Sequence, residues 1–346
     1  MVNGQDIVLS IDIDMQQKLE EALAVRVEEV QGSGGSAILM DSATGEIYAC
    51  SSFPTFDITD LSKIEDGATN LSGISSAYEP GSIMKPATML AALEEGVVNI
   101  NSTYYCPAEL KVDEYTITDS HPRDDMDMDV STIIADSSNV GISLVARDLT
   151  FEKLYEYIKK YQLTDLTGVD YPGEAQGTIS SRDTWAEVQG YNISFGQGFT
   201  TTPIEMVRFY AALANNGTAS QPHFLLDVPT EDEDRTYATA QITDNQSAID
   251  TLETMMQATV DRGTGTDAQI DGYRVVGKTG TAEIASEKGG YKQGVYNISF
   301  VGYLPDSSTN LVCFVGAYDV PGERQTVEAF HDIMAFAIDR YNITQN

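Results

Sequence analysis

The sequence predicts an α+β fold with helices inserted between strands that lie near the two ends of the chain. Three observations predict it: two strand-like runs joined by a tight turn near the start, a long stretch with mainly helical periodicity in the middle, and three strand candidates in succession near the end. The chain has 346 residues, 42% of them hydrophobic, so it can bury a sizeable core as one large domain or two smaller ones.

Asp6 to Ile13 reads as a short strand. Asp14 can cap a helix from Met15 to Val30, with Met15, Leu19, Ala22, Leu23 and Val30 on one face, and Gln31-Gly32-Ser33-Gly34-Gly35 ends it. Ser36 to Met40 and Glu46 to Ser51 are strand-like, and Asp41-Ser42-Ala43-Thr44-Gly45 between them has turn chemistry. Phe53 to Ala77 is polar and loop-like. Glu79, Pro80 and Gly81 form a turn, and Met84, Ala87, Met89, Leu90, Ala91 and Leu93 give a helical pattern that stops at Gly96.

Asn99 to Val130 reads as irregular, and its acidic run Asp124-Asp125-Met126-Asp127-Met128-Asp129 as a solvated loop rather than a metal site. Short helices at Ser131 to Asp136 and Val140 to Arg147 flank Ser137-Ser138-Asn139, residues that favour turns and caps. Further helices are predicted at Phe151 to Tyr161, Pro203 to Asn215 and Ser247 to Thr259, with a surface loop from Leu226 to Ala240 carrying Glu231-Asp232-Glu233-Asp234. Tyr273 to Gly277, Tyr296 to Tyr303 and Asn310 to Tyr318 are the late strands, and Thr326 to Tyr341 closes the chain as an amphipathic helix.

A formal net charge of -33 argues against nucleic acid or anionic lipid as a partner. No run of apolar residues reaches the length of a membrane span, and Met1-Val2-Asn3-Gly4 is no signal peptide, so the chain as given reads as soluble, with a piece cut from something anchored as an open alternative. Cys50, Cys106 and Cys313 have no metal-binding spacing and read as buried hydrophobes. His121, His223 and His331 are scattered, which leaves a metal site or a Ser-His-Asp triad without support.

Three short motifs carry chemistry. Ser82 stands at a helix N-terminus and Lys85 three residues on, so the amine can reach the hydroxyl: a nucleophile beside a base. Pro86 is tolerated because the first helical N–H groups have no intrahelical partner, and those free groups favour developing negative charge. A turn at Ser137-Ser138-Asn139 can point Ser137 and Asn139 the same way. In Lys278-Thr279-Gly280-Thr281, an ammonium and two hydroxyls around a glycine can hold a carboxylate. Phe195-Gly196-Gln197-Gly198 reads as a structural turn before the Pro203 helix, with a tight approach beside the site as the alternative.

Taken in order, Ser82-x-x-Lys85, Ser137-x-Asn139 and Lys278-Thr279-Gly280 resemble the signature of the penicillin-recognising serine acyltransferases, and the ordered set is far more specific than any part. Asp6-Ile7-Val8-Leu9-Ser10-Ile11-Asp12, Met40-Asp41 with Thr44-Gly45-Glu46-Ile47, Tyr78-Glu79-Pro80-Gly81-Ser82, Phe195-Gly196-Gln197-Gly198 with Thr202-Pro203, and Lys278-Thr279-Gly280-Thr281-Ala282-Glu283 look like the transpeptidase domain of class B penicillin-binding proteins. The resemblance covers the chain from about Asp6 to the last helix. It departs at Leu71, after Asn70, where relatives often carry arginine, and no equivalent of the deacylating glutamate of class A β-lactamases is found.

The resemblance implies a β-lactamase/transpeptidase-like fold: an antiparallel sheet of about five strands flanked by helices, plus an all-helical subdomain. The sheet part is expected from residues 1–70 and 265–346, and the helical part from 71–264. It implies a peptidoglycan D,D-transpeptidase that needs no cofactor or metal, with Ser82 as nucleophile, Lys85 as base, Ser137 as proton relay and Asn139 orienting Lys85 and the substrate amide. The backbone N–H groups of Ser82 and Thr281 would form the oxyanion hole, while Lys278, Thr279 and Thr281 bind the substrate carboxylate. Burial and the charge of Lys278 should together lower the Lys85 pKa. The implied partners are stem peptides ending in D-Ala-D-Ala, β-lactams, and, through a membrane anchor and pedestal domain missing from this chain, a glycosyltransferase and division or elongation proteins. The implied place is the extracytoplasmic face of the bacterial cytoplasmic membrane. A D,D-carboxypeptidase, a β-lactamase-type hydrolase, a β-lactam sensor and an inactive scaffold are the alternatives.

Overall fold

The structure is a computed structural model and describes residues 4–230, 235–286, 289–322 and 324–345. Strand β1, Val8–Leu9, is followed by helix α1, Ile13–Glu29, and by the antiparallel pair β2, Gly34–Asp41, and β3, Ile47–Phe53. A short helix α2, Ser72–Ser75, precedes a 3-10 turn over Gly81–Met84 that runs into α3, Lys85–Glu94. Four short strands come next: β4, Thr103–Cys106; β5, Glu109–Val112; β6, Tyr115–Thr118; and β7, Met126–Asp129. Helices α4, Val130–Ala135; α5, Asn139–Leu149; α6, Phe151–Lys160; α7, Glu187–Ser194; and α8, Pro203–Ala214, lead to the short strands β8, Thr218–Ser220; β9, Leu225–Asp227; and β10, Thr239–Gln241. Helix α9, Gln246–Arg262, precedes β11, Val276–Ala285; β12, Tyr291–Tyr303; and β13, Leu311–Pro321; α10, Val327–Tyr341, ends the fold.

The main sheet has the order β11-β12-β13-β2-β3, antiparallel throughout. Side chains of a strand alternate between faces, and here both faces are covered, so β2 and β13 are apolar almost without interruption. Ala37, Leu39, Cys313, Val315 and Ala317 face one core with Leu19 and Leu23 of α1 and Phe330 and Ile333 of α10. Ile38, Met40, Val312 and Phe314 face the other, which continues into α3, α5, α8 and α9.

Several expectations are corrected. Only Val8–Leu9 of the predicted first strand pairs, and it pairs with β9 outside the main sheet. The cap of α1 is Asp12, not Asp14: its carboxylate accepts from the N–H groups of Asp14 and Met15 and is held by Arg340. The acidic run is no free loop, because Met126–Asp129 pairs with β4, burying Met128 while the aspartates point outward. The stretch Leu226 to Ala240 contributes to β9 and β10; Glu231-Asp232-Glu233-Asp234 lies outside the described residues, as do Met1, Val2 and Asn3. Helix α7 was not predicted, since Gly190 interrupts its pattern; the Phe151 ring packs where a Cβ of residue 190 would stand. The first late strand begins at Val276 and runs through Lys278-Thr279-Gly280, so this motif lies inside a strand and not at its end.

Helix α8 supports the turn that carries Ser82, with the Tyr210 hydroxyl donating to the Ile83 carbonyl at 2.9 Å. The helix begins with a capping box, Thr202 with buried Glu205, and Pro203 in its first turn. Thr202→Ala should lower the unfolding free energy by about 1 kcal/mol in urea titration; an unchanged midpoint would remove the cap from this account.

Candidate active site

The 3-10 turn at Gly81–Met84 and the first turn of α3 place Ser82 and Lys85 on one face, and the Lys85 Nζ lies 2.7 Å from the Ser82 Oγ. The α4–α5 turn arrives from the other side. Ser137 takes a left-handed backbone, φ 59°, and Ser138 caps α5, accepting from the Gly141 N–H. This turn brings the Ser137 carbonyl to 2.6 Å, the Ser137 Oγ to 3.0 Å and the Asn139 Oδ1 to 2.9 Å from Lys85 Nζ. Asn139 is fixed in this orientation because its Nδ2 donates to the Thr118 carbonyl at 3.0 Å.

Four oxygens therefore surround one nitrogen. An ammonium has three protons to donate, and two of the four oxygens, the Ser137 carbonyl and Asn139 Oδ1, can only accept. A neutral amine that donates to these two turns its lone pair toward a hydroxyl, and Ser82 is the nearer one. Lys85 is fully buried, and burial pushes its pKa down to about 7, with Asp119 opposing. The amine is thus available as a base near neutral pH.

Lys278 is also fully buried on β11, where its Nζ donates to the Thr279 carbonyl and, at 3.3 Å, to the Thr279 Oγ1. Burial first and the Lys85 charge second hold its pKa well below the usual lysine range, while Asp136 opposes. The repulsion expected to lower Lys85 thus falls on Lys278, because only one of two neighbouring amines has to give up its proton. The Thr279 hydroxyl is 2.5 Å from that of Thr264, which follows α9 and whose N–H donates to the Ala135 carbonyl at the end of α4. Thr264 therefore ties the strand carrying Lys278 to the turn carrying Ser137. Thr281 brings its backbone against the turn that carries Ser82, so close that a Cβ on Gly81 would stand 2.5 Å from its carbonyl oxygen.

Gly196 proves to be a tight approach, not only a turn, whereas a Cβ on Gly198 would meet only ordinary contacts with Ile193 and Gln189. The Gly81 N–H donates to the Gly196 carbonyl at 2.9 Å, and a Cβ on Gly196 would stand 2.0 Å from the Gly81 oxygen. The loop is clamped on both sides: Glu79 accepts the Gly198 N–H, and Gln197 donates to Glu283 on β11. Burial raises the Glu79 pKa.

Sequence reasoning named Ser82, Lys85, Ser137, Asn139, Lys278, Thr279 and Thr281, and these residues converge here. It missed Asp119, Thr264 and the clamping role of Glu79. Thr264 had a signal in Gly263-Thr264-Gly265, a helix stop with a hydroxyl inside it; Asp119 had none, standing in a stretch read as irregular. Cys50, Cys106 and Cys313 are buried away from this chemistry, and burial pushes the thiol of each up. Among the described residues, no three His, Cys, Asp or Glu side chains are grouped to hold a metal ion, and no helix is long and apolar enough to cross a membrane.

A serine hydroxyl hydrogen-bonded to a buried lysine, beside a five-stranded antiparallel sheet whose edge strand carries a second lysine, defines the class of the penicillin-recognising serine proteins. Within that class the chain belongs to the penicillin binding protein transpeptidase domain family, whose model matches residues 35–335. It is 29% identical over 99% of its length to penicillin-binding protein PbpB of Mycolicibacterium smegmatis, and 30% identical over 96% to the probable peptidoglycan D,D-transpeptidase PbpC of Pseudomonas aeruginosa. It spans 56% and 58% of those relatives. Its structure superposes on that of Mycobacterium tuberculosis penicillin-binding protein 3 complexed with aztreonam with a TM-score of 0.90, at 27% identity, over 99% of this chain and 80% of that one.

Three measurements test the geometry. The Cε resonance of Lys85, followed by carbon NMR, should titrate near pH 7 and not near the ~10.4 of a free lysine. The unfolded chain holds the proton that the folded site rejects, so Lys85 should make stability rise with pH above about 7, a slope that Lys85→Met removes. Gly196→Ala should fold but displace the Gly81 turn, cutting penicillin acylation of Ser82 on the order of a hundredfold; a parent-like rate would show that the loop yields.

Proposed function

We propose that this chain is a peptidoglycan D,D-transpeptidase domain that cross-links stem peptides through an acyl-enzyme on Ser82. The observation that carries the reading is the Lys85 amine, buried, lowered to about 7 and 2.7 Å from the Ser82 hydroxyl. Lys85 takes the Ser82 proton as Oγ attacks the carbonyl between two terminal D-alanines. The Oγ–carbon bond forms, and the Ser82 and Thr281 backbone N–H groups receive the oxyanion, each donor being worth roughly 3 to 4 kcal/mol where one has been measured in another serine enzyme. The carbon–nitrogen bond then breaks as Ser137 relays the proton from Lys85 to the leaving nitrogen, releasing D-alanine. An amine of a neighbouring stem attacks the ester, gives up a proton by the reverse path and restores the Ser82 hydroxyl.

Asn139 orients Lys85 and the substrate amide. Lys278, Thr279 and Thr281 bind the terminal carboxylate, whose negative charge favours the protonated form of a buried lysine that, among the described residues, hydrogen-bonds to Thr279. A β-lactam presents a strained amide and a carboxylate to the same groups, so the domain should be acylated and inhibited by these compounds. The chain divides into a sheet subdomain and a mainly helical one, with the site at their junction. In the whole protein, the domain works at the extracytoplasmic face of the bacterial cytoplasmic membrane alongside a glycosyltransferase and division or elongation proteins.

Intact mass after incubation with benzylpenicillin decides the matter. One long-lived adduct is expected on the parent and none on Ser82→Ala, with Lys85→Ala folded but unreactive. Rapid loss of the adduct would move the assignment to a hydrolase, and an undiminished rate in Lys85→Ala would take Lys85 out of the mechanism.

A further inference from the structure

Asp119 follows β6 and lies behind the Ser137–Asn139 turn, with a side chain only 11% exposed. Its Oδ1 accepts from the Val140 N–H at 2.9 Å, both its oxygens accept from the Ser138 hydroxyl at 3.0 and 2.9 Å, and its Oδ2 takes the Arg123 Nε at 2.6 Å. Arg123 in turn donates to the carbonyls of Cys106 on β4 and of Asp124. The residue before Asp119 supplies the carbonyl that orients Asn139. One short stretch, residues 118–119, thus grips the turn through the backbone of residue 140, the side chain of residue 138 and the amide of residue 139.

That grip has something to hold. Ser137 is in the left-handed region, a conformation that costs a non-glycine residue on the order of 1 kcal/mol and persists only where its surroundings fix it. The same conformation aims both the carbonyl and the hydroxyl of Ser137 at Lys85.

We propose that Asp119 is a positioning residue for acyl transfer: its carboxylate, clamped by Arg123, fixes the Ser137–Asn139 turn that sets three acceptors around the Lys85 amine. The inference rests on the assignment of Ser82 and Lys85 as nucleophile and base. Asp119 also acts through its charge. Lys85 faces Ser82 on its own turn, Ser137 and Asn139 from the α4–α5 turn and Lys278 from β11. Among the charged groups behind these, Asp119 works against burial to keep the amine basic, Arg123 offsets part of that charge, and Asp136 acts on Lys278.

The test compares Asp119→Asn, nearly isosteric but uncharged, with Ser138→Ala, which breaks the hydroxyl link and leaves the charge. Acylation by benzylpenicillin is measured from pH 5 to 9, and the Lys85 Cε titration is followed by carbon NMR. In Asp119→Asn the plateau rate should fall about tenfold or more, and both the acid limb and the titration should move to lower pH by about half a unit or more. In Ser138→Ala the plateau should fall while the acid limb and the titration stay in place. An Asp119→Asn protein with the parent's plateau and titration overturns the proposal. Should that variant not fold, Ser138→Ala decides: a lowered plateau with an unmoved limb supports it, and a parent-like plateau overturns it. A parent that takes no adduct at any pH refutes the acyl-transfer reading instead, and the Lys85 titration in Asp119→Asn then decides the positioning claim alone.

Discussion

The constraint on which the rest of this structure depends is an amine kept out of water. An ammonium buried without compensation costs several kcal/mol, and the hydrogen-bonding atoms around Lys85 are neutral oxygens. The protein meets that cost by letting the lysine be neutral part of the time and by giving its nitrogen more acceptors than it has protons. Each of the three residues that supply these acceptors meets a different demand on the fold: a 3-10 turn for Ser82, a left-handed backbone for Ser137, a helix start for Asn139. Remove the packing that buries Lys85 and the amine becomes an ordinary surface cation, unable to accept a proton at neutral pH.

Much of this was legible in the sequence because the motifs are local. Ser82 and Lys85 are neighbours on one helical turn, Ser137 and Asn139 flank a cap residue, and Lys278 and Thr279 are adjacent, so spacing alone says which groups can act together. The strands of the main sheet were legible for a related reason: covered on both faces, β2 and β13 carry apolar residues at nearly every position, and no register choice hides the signal. What was not legible depends on long-range closure. Asp119 meets Ser138 only because β5 and β6 form a hairpin in a stretch too polar to look like strand. Gly190 looks like a helix breaker until Phe151 arrives to fill its missing side chain. The end of β11 was placed too early because Thr279, Gly280 and Thr281 have turn chemistry, and pairing with β12 from Val276 to Glu283 overrides it.

The glycines at the site show a second kind of constraint. Gly81 and Gly196 both have left-handed backbones and stand against each other with no space for a side chain on either, while Glu79 and Gln197 tie the Gly196 loop to the Ser82 turn and to β11. Contact between bare backbones is stiff in a way that contact between side chains is not, since there are no rotamers to adjust. The Ser82 hydroxyl is therefore located by main-chain geometry on one side and by Lys85 on the other.

The topology of the main sheet bears on when a reactive site can first exist. Leu311 of β13 pairs with Asp41 of β2, about 270 residues earlier in the chain, and Lys278 lies on the far side of that closure. During synthesis the β2–β3 hairpin, Ser82 and Lys85 all emerge before the strands that complete the sheet, and non-local pairing of this kind is slow to form. Until β11 docks, Ser82 has neither the Thr281 backbone nor the second lysine beside it. Closure of the sheet is thus what completes the site, because the two ends of the chain must pair before Lys278 and Thr281 can stand beside Ser82.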